Sequence, residues 1–272
     1  MSDGQTDWSE MSETFLTVVR AGVRLAEGSA PDVQGGSPHG LSEIDERLIL
    51  QRGAMLRDGA ATLHHPLSGE RRELGALDVR VVDLDREAAT LCEIYDEPQE
   101  RFLALWRLLP SRLHAQNPAF AALPADPALP DHSIWQAADL AAAGSAAWRD
   151  AQGAALLSVT IGPVQSFIEA ARSVRDLWSG SATLSWLLFE ALRPPLEALG
   201  PQTIIFPALR DAPLLDLWLR KRGLTAVPEP EQRARLAPTL PNRFLALVPS
   251  GEGGTAAQAM GRACLEAFDQ AW

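Results

Sequence analysis

Residues 156–186 read LLSVTIGPVQSFIEAARSVRDLWSGSATLSW, and the reading of this stretch decides the fold. The continuous apolar run over 155–161 predicts a strand of the fully buried type. Gly162 and Pro163 end it, and a proline there suits the first turn of a helix. A helix is expected over 166–177, then a break at Ser179-Gly180-Ser181. A second helix should run to about Leu192, where Pro194 and Pro195 interrupt it. The first amides of a helix lack intrahelical partners and are offered to an anion such as a nucleotide phosphate. Arg172 and Arg175, three residues apart, share a helix face. The Ser179-Gly180-Ser181 turn adds a close backbone approach and two hydroxyls. Gly162, Gln165, Arg172, Arg175, Ser179, Gly180 and Ser181 are therefore the candidate nucleotide-binding residues. The structural alternative is that Gln165, Arg172 and Asp176 satisfy local polar needs while Phe167, Ile168, Ala171 and Trp178 pack beneath them. No Walker pattern and no dinucleotide fingerprint occurs.

Downstream of this stretch, short strands are expected over 203–206 and 243–248. Helices are expected from Pro213 through Arg222 and over 255–272. The order β-α-α-β-α-β-α is an α/β pattern. It lacks a closing strand after the last helix, so the domain is expected to be incomplete.

Upstream, 9–27 shows helical spacing of Phe15, Leu16, Val19 and Val23. The Gly-, Pro- and Ser-rich run 28–40 reads as a linker. A helix is expected from Ser42, a capping residue, to Arg57. Residues 62–84 mix turn signals with short apolar pieces. An amphipathic helix is expected over 91–109, an irregular proline-fixed segment over 110–133, and a helix from Ser133 to Trp148. The expected domains are a mobile acidic segment with linker (1–40), a mainly helical domain (41–150) and an α/β domain (151–272).

Composition bounds the function classes. The chain has 272 residues, 46% of them hydrophobic, enough for one or two domains with a core. Its formal net charge is -11, which opposes gripping nucleic acid with the whole surface. Tyr95 is the sole tyrosine beside eight tryptophans, against a tyrosine-rich stacking platform. Trp106, Trp135, Trp178, Trp186 and Trp218 are expected as core or interface anchors. Cys92 and Cys264 form no CxxC pair, which excludes a zinc site built on cysteine pairs. The start lacks the pattern of a signal peptide, and no apolar run is long enough to span a membrane. A cytoplasmic protein is expected. Arg71-Arg72 and Arg220-Lys221-Arg222 read as solvated faces or helix carboxy-terminal charges.

The stretch IGPVQSFIEAARSVRDLWSGSATLSWL resembles the first strand and helices of the first Palm domain in the large, polymerase-like subunit of type III-B (Cmr) CRISPR effector complexes. LHHPLSGE (63–70), ALWRLLP (104–110), LPADPALPDHSIW (123–135) and LPNRFLALVP (240–249) resemble further signatures of that family, in the same order. The resemblance covers roughly residues 60–272. It implies an α+β or α/β chain: a helical, degenerate HD-like amino-terminal domain, then an incomplete ferredoxin-like Palm domain. It implies the amino-terminal part of the large subunit in an RNA-guided antiviral complex, with other subunits, guide RNA and target RNA as partners. In the family the large subunit makes cyclic oligoadenylates from ATP with divalent metal (Mg or Mn) at a GGDD motif. Some members carry an HD nuclease for single-stranded DNA.

This sequence departs from the pattern twice. It contains no GGDD, and such acidic pairs hold the metal ions of phosphoryl transfer. No catalytic residue is therefore assigned, and cyclase chemistry would need a separate GGDD-bearing part. The first 38 residues also contain no histidine. His64, His65, Asp131 and His132 remain as candidate metal ligands for an HD-type site. The structural alternative has them pinning loops by hydrogen bonds.

Overall fold

The computed structural model describes residues 6–26, 62–64, 71–73, 83–121, 123, 125, 132–148 and 153–272. The expected helix over 42–57, His65 and Asp131 lie outside the described residues. Two compact units divide the chain, residues 8–145 and residues 146–272, with Thr6 and Asp7 grouped with the second.

The first unit is a helical assembly with a small hairpin. Helix α1 (Trp8–Ala26) buries Met11, Phe15, Val19 and Val23, spaced four residues apart along one face. Phe15 meets Phe102 edge to face at 6.3 Å between ring centres and stacks near Trp135 at 6.4 Å. At Gly22 a Cβ would fall 2.4 Å from Ile134 Cγ2, so only glycine permits that approach. Strands β1 (Thr62–His64) and β2 (Arg71–Glu73) pair antiparallel, His64 opposite Arg71.

Asp83 caps α2 (Leu84–Cys92) by accepting a hydrogen bond from the Arg86 amide at 3.0 Å. Pro98 opens α3 (Pro98–Gln116), which is buried almost all round from Phe102 to Pro110 and again at Leu113. These two helices replace the single one expected over 91–109, because Pro98 restarts the helix after a bend. The expected irregular segment also begins later. Pro110 is carried inside α3, which ends at Gln116 and leads to a 3-10 turn at Pro118–Ala121. Helix α4 (Ile134–Ala147) starts with a reciprocal cap. Gln136 N donates to Ser133 Oγ at 3.3 Å, and Ser133 N donates to Gln136 Oε1 at 2.9 Å. Trp135 Nε1 donates to the Phe120 carbonyl at 2.7 Å in the core.

The second unit is built on a three-stranded antiparallel sheet. Its elements are β3 (Ala154–Thr160), α5 (Val164–Glu169), α6 (Val174–Ala198), β4 (Ile204–Phe206), α7 (Pro213–Lys221), α8 (Gln232–Arg235), β5 (Arg243–Pro249) and α9 (Thr255–Ala271). The element order is the expected one, with α8 added. The sheet order is β3-β5-β4. Ala154 pairs with Pro249 and Thr160 with Arg243, and Ile204 lies opposite Ala246. Both pairings are antiparallel, so β3 and β4 run parallel on either side of β5. Helix α9 packs along α6, and both pack on the sheet.

Three local expectations are corrected. The strand expected to be fully buried is an edge strand with Leu156 63% exposed, since β5 is its one partner among the described residues. The helix break falls at 170–173, where Ser173 Oγ accepts from Asp176 N at 3.1 Å and starts α6. Helix α6 then runs through Ser179-Gly180-Ser181 and through Pro194 and Pro195 to Ala198.

Candidate functional site

The candidate residues follow the carboxy end of β3 in the chain. The register brings the end of β3 (Thr160) beside the start of β5 (Arg243). The backbone continues that pairing by one step: Ile161 N donates to Asn242 O at 2.8 Å, and Asn242 Nδ2 donates back to Ile161 O at 3.2 Å. Gly162 follows at once, exposed, with open space where a Cβ would stand. Gln165 lies exposed on α5, a helix of only six residues capped by Pro163 without a side-chain bond.

Arg172, Arg175 and Ser179 are exposed, and Gly180 and Ser181 half-buried. The Ser179-Gly180-Ser181 segment is helical, so its backbone is committed to helix α6 rather than to a ligand-cradling turn. Ser179 O accepts from Thr183 Oγ1 at 2.8 Å. Gly180 has a packing role: a Cβ there would stand 3.1 Å from Phe167 Cε1, so the missing side chain lets α5 settle against α6. Around Arg172 and Arg175 no ion pair forms among the described residues. In the first turn of α6 the Asp176 amide donates to Ser173 Oγ.

The first turns of α6 stand clear of the core. Val174 is 83% exposed, and Leu177, Trp178 and Phe167 are also exposed. The structural alternative, with Phe167 and Trp178 packed beneath the polar residues, is not what is seen, since both are exposed. The second half of α6 is the buried half, from Ser185 and Leu187 to Leu196. There Ser185 Oγ accepts from the Leu240 amide at 3.0 Å and ties α6 to the segment entering β5. Trp106, Trp135 and Trp218 are core residues, whereas Trp178 and Trp186 are not.

The other charged and titratable candidates have local roles. Arg220 Nη1 donates to the carbonyls of Thr225 at 2.9 Å and Val227 at 2.6 Å, and Arg235 Nε donates to Pro230 O at 2.8 Å. Glu229 sits between both guanidiniums, so this basic pair clamps the loop between α7 and α8. Burial pushes the Cys264 thiol up to about 11, which marks it as a packed, unreactive group on α9. No group of three or more potential metal ligands occurs among the described residues. The His132 carbonyl accepts from Ala125 N at 3.1 Å. Among the described residues no helix is long and apolar enough to cross a membrane.

Sequence reasoning missed Phe206 and Arg243 at this end of the sheet. The Arg243 guanidinium carbon lies 5.7 Å from the centre of the Phe206 ring, and both residues are exposed. An aromatic at the end of a short strand was the available signal, but only the sheet register joins it to Arg243.

Comparison with known proteins places this geometry. Residues 156–272 match the family described as CRISPR-associated protein Cmr2, N-terminal. The CRISPR system Cmr subunit Cmr2 of Pyrococcus furiosus is 37% identical over 134 residues, covering 49% of this chain and 14% of that protein. A chain in the cryo-EM structure of the type III-B Cmr-beta complex bound to cognate target RNA superposes with a TM-score of 0.65 at 19% identity. That match covers 94% of this chain and 31% of that one, and it shows a shared fold. The matched family region runs from β3 through α9, the elements that build the site. Residues 156–272 are thus similar to the amino-terminal region of Cmr2, and the chain resembles an amino-terminal portion of that subunit of a type III-B CRISPR system.

Proposed function

We propose that this chain acts as the amino-terminal part of the large subunit of a cytoplasmic type III-B CRISPR effector, in an architectural role. The observation that carries the reading is the family match over 156–272, which falls on the unit whose apolar surface is most exposed. Its partners are then the other effector subunits and, through them, guide RNA and target RNA. Exposed apolar surface on the first turns of α6 suits such contacts, since soluble surfaces seldom leave it uncovered.

Within that reading the second unit is a ferredoxin-like Palm domain. The support is topological: antiparallel order β3-β5-β4 with α6 and α9 packed on the sheet, and β3 at an edge among the described residues. A groove of about 400 Å³ runs between Leu157 and Val159 of β3 and Gly261, Arg262 and Leu265 of α9, beside that open edge. The helical unit corresponds to the degenerate HD-like domain. We assign it no nuclease step, and we assign this chain no nucleotidyl transfer.

Nucleotide binding is a second reading, favoured by exposed Arg172 and Arg175 within the stretch 161–187. ATP is the ligand it implies.

Coexpression with the remaining Cmr subunits and a guide RNA, followed by size exclusion, tests the architectural reading. The chain should comigrate with guide RNA in one assembly. An assembly that forms without it, leaving the chain in its own peak, would overturn the reading.

A further inference from the structure

Charge is distributed unevenly along this chain. Its formal net charge is -11, yet residues 217–251 hold six basic residues against two acids, Glu229 and Glu231. Five of the six gather at one corner of the second unit, where the carboxy end of α7 meets α8. Arg220, Lys221 and Arg222 come from the end of α7, Arg233 and Arg235 from α8. Lys221, Arg222 and Arg233 are exposed. Lys221 and Arg233 have no carboxylate within ion-pair distance among the described residues.

At the centre of this corner two guanidiniums converge on one oxyanion. Glu229 Oε1 lies 2.5 Å from Arg235 Nη2, and Glu229 Oε2 lies 3.8 Å from Arg220 Nη2. Neither fork depends on that carboxylate for its position. The Thr225 and Val227 carbonyls hold Arg220, and the Pro230 carbonyl holds Arg235. The Glu229 side chain is 59% exposed, so its pairing gives way to another anion at little cost. Two pre-set forks with a displaceable carboxylate between them form an anion site. Phosphate fits it, because guanidinium pairs with phosphate oxygens two at a time.

We propose that the α7–α8 corner is a contact surface for the phosphate backbone of single-stranded RNA, with Glu229 as the internal anion that a backbone phosphate displaces. Lys221, Arg222 and Arg233 then meet neighbouring phosphates. A strand fits better than a small anion, since the charges are spread along two elements and do not enclose one point. RNA fits better than an acidic protein surface, since the effector reading brings guide and target RNA into the same assembly. The proposal rests on that reading for its ligand, and extends it from contact through other subunits to direct contact.

Fluorescence anisotropy of a labelled, short single-stranded RNA with the 272-residue chain, over a range of salt, tests this. Glu229→Gln removes the competing anion and should tighten binding about threefold. Lys221→Gln and Arg233→Gln should each weaken it about threefold. Each should also lower the slope of log affinity against log salt by about 0.7. All three positions are exposed, so the melting temperature should stay at the parent's value; if the Glu229 variant melts early, the two cation variants decide. If neither cation variant changes affinity or slope, or a stably folded Glu229 variant binds no tighter than the parent, the corner is not the site. Displacement of the RNA by polyglutamate of equal charge at equal concentration would identify an acidic protein surface as the partner and overturn the proposal. Equal displacement by tripolyphosphate would overturn it in favour of a free anion. Comigration with the Cmr subunits reports on the effector reading separately. A chain that stays outside the assembly yet keeps its Glu229-dependent RNA binding sinks that reading and not this site.

Discussion

The two units solve the same packing problem differently. In the helical unit, Phe15, Phe102, Trp106 and Phe120 are all but fully buried, and α3 is enclosed nearly all round. In the sheet unit the β3 edge, part of one sheet face and the first turns of α6 stand open among the described residues. Of the thirteen large exposed apolar residues among those described, Ile94 and Leu140 lie in the helical unit and the other eleven in the sheet unit. The described helices of the first unit leave little apolar surface in water. A unit that leaves Val174, Trp178, Leu156 and Phe206 in water is built to be covered. The family signature lies on the second.

The contrast can be broken most sharply in the helical core. Phe102→Ala removes a ring that meets Phe15 and Trp8, and should cost about 3–5 kcal/mol of that unit's stability. Denaturant unfolding followed separately in each unit should show the loss in the first and little change in the second. Equal losses in both would mean that the units unfold as one.

A smaller effect is expected from Ser185→Ala. It leaves the buried Leu240 amide without its acceptor and should cost about 1–3 kcal/mol, read as a lower melting temperature of the sheet unit. An unchanged melting temperature would show that the tie between α6 and the entry to β5 is dispensable.

Arg193→Ala removes an exposed bridge to Glu190 and Glu197 on α6, at 3.0 and 3.1 Å. About 0.5 kcal/mol is expected, shrinking further in high salt. The smallest net effect belongs to Gly180→Ala. Its gain in helix propensity, about 1 kcal/mol, is offset by pushing Phe167 off α6. Stability should stay nearly level while the α5 amides exchange faster. Unchanged exchange would mean that Phe167 does not hold α5.

Local signals in the sequence predicted local structure well. Ser133 with Gln136, Pro213 at a helix start and the apolar run into Pro249 each specify an element through neighbours a few residues away. The errors arose where partners are distant. The run over 155–161 has the composition of a central strand, but its place in the sheet depends on what pairs beside it. Pro110, Pro194 and Pro195 read as breaks, yet packing around α3 and α6 holds the helices through them. Gly180 read as a turn because nothing local announces Phe167 above it. The site was legible as a motif and only partly as a geometry. Gly162 and the arginines stand exposed as a ligand would need, whereas Phe206 and Arg243 meet only through the register of three strands.

Hydrogen–deuterium exchange of the chain alone and within a reconstituted Cmr assembly tests the central claim most directly. The account predicts new protection over 154–160 and 174–184, the open strand edge and the exposed turns of α6, with little change over 98–116. Equal exchange in both states over 154–184, in an assembly shown to contain the chain, would contradict it.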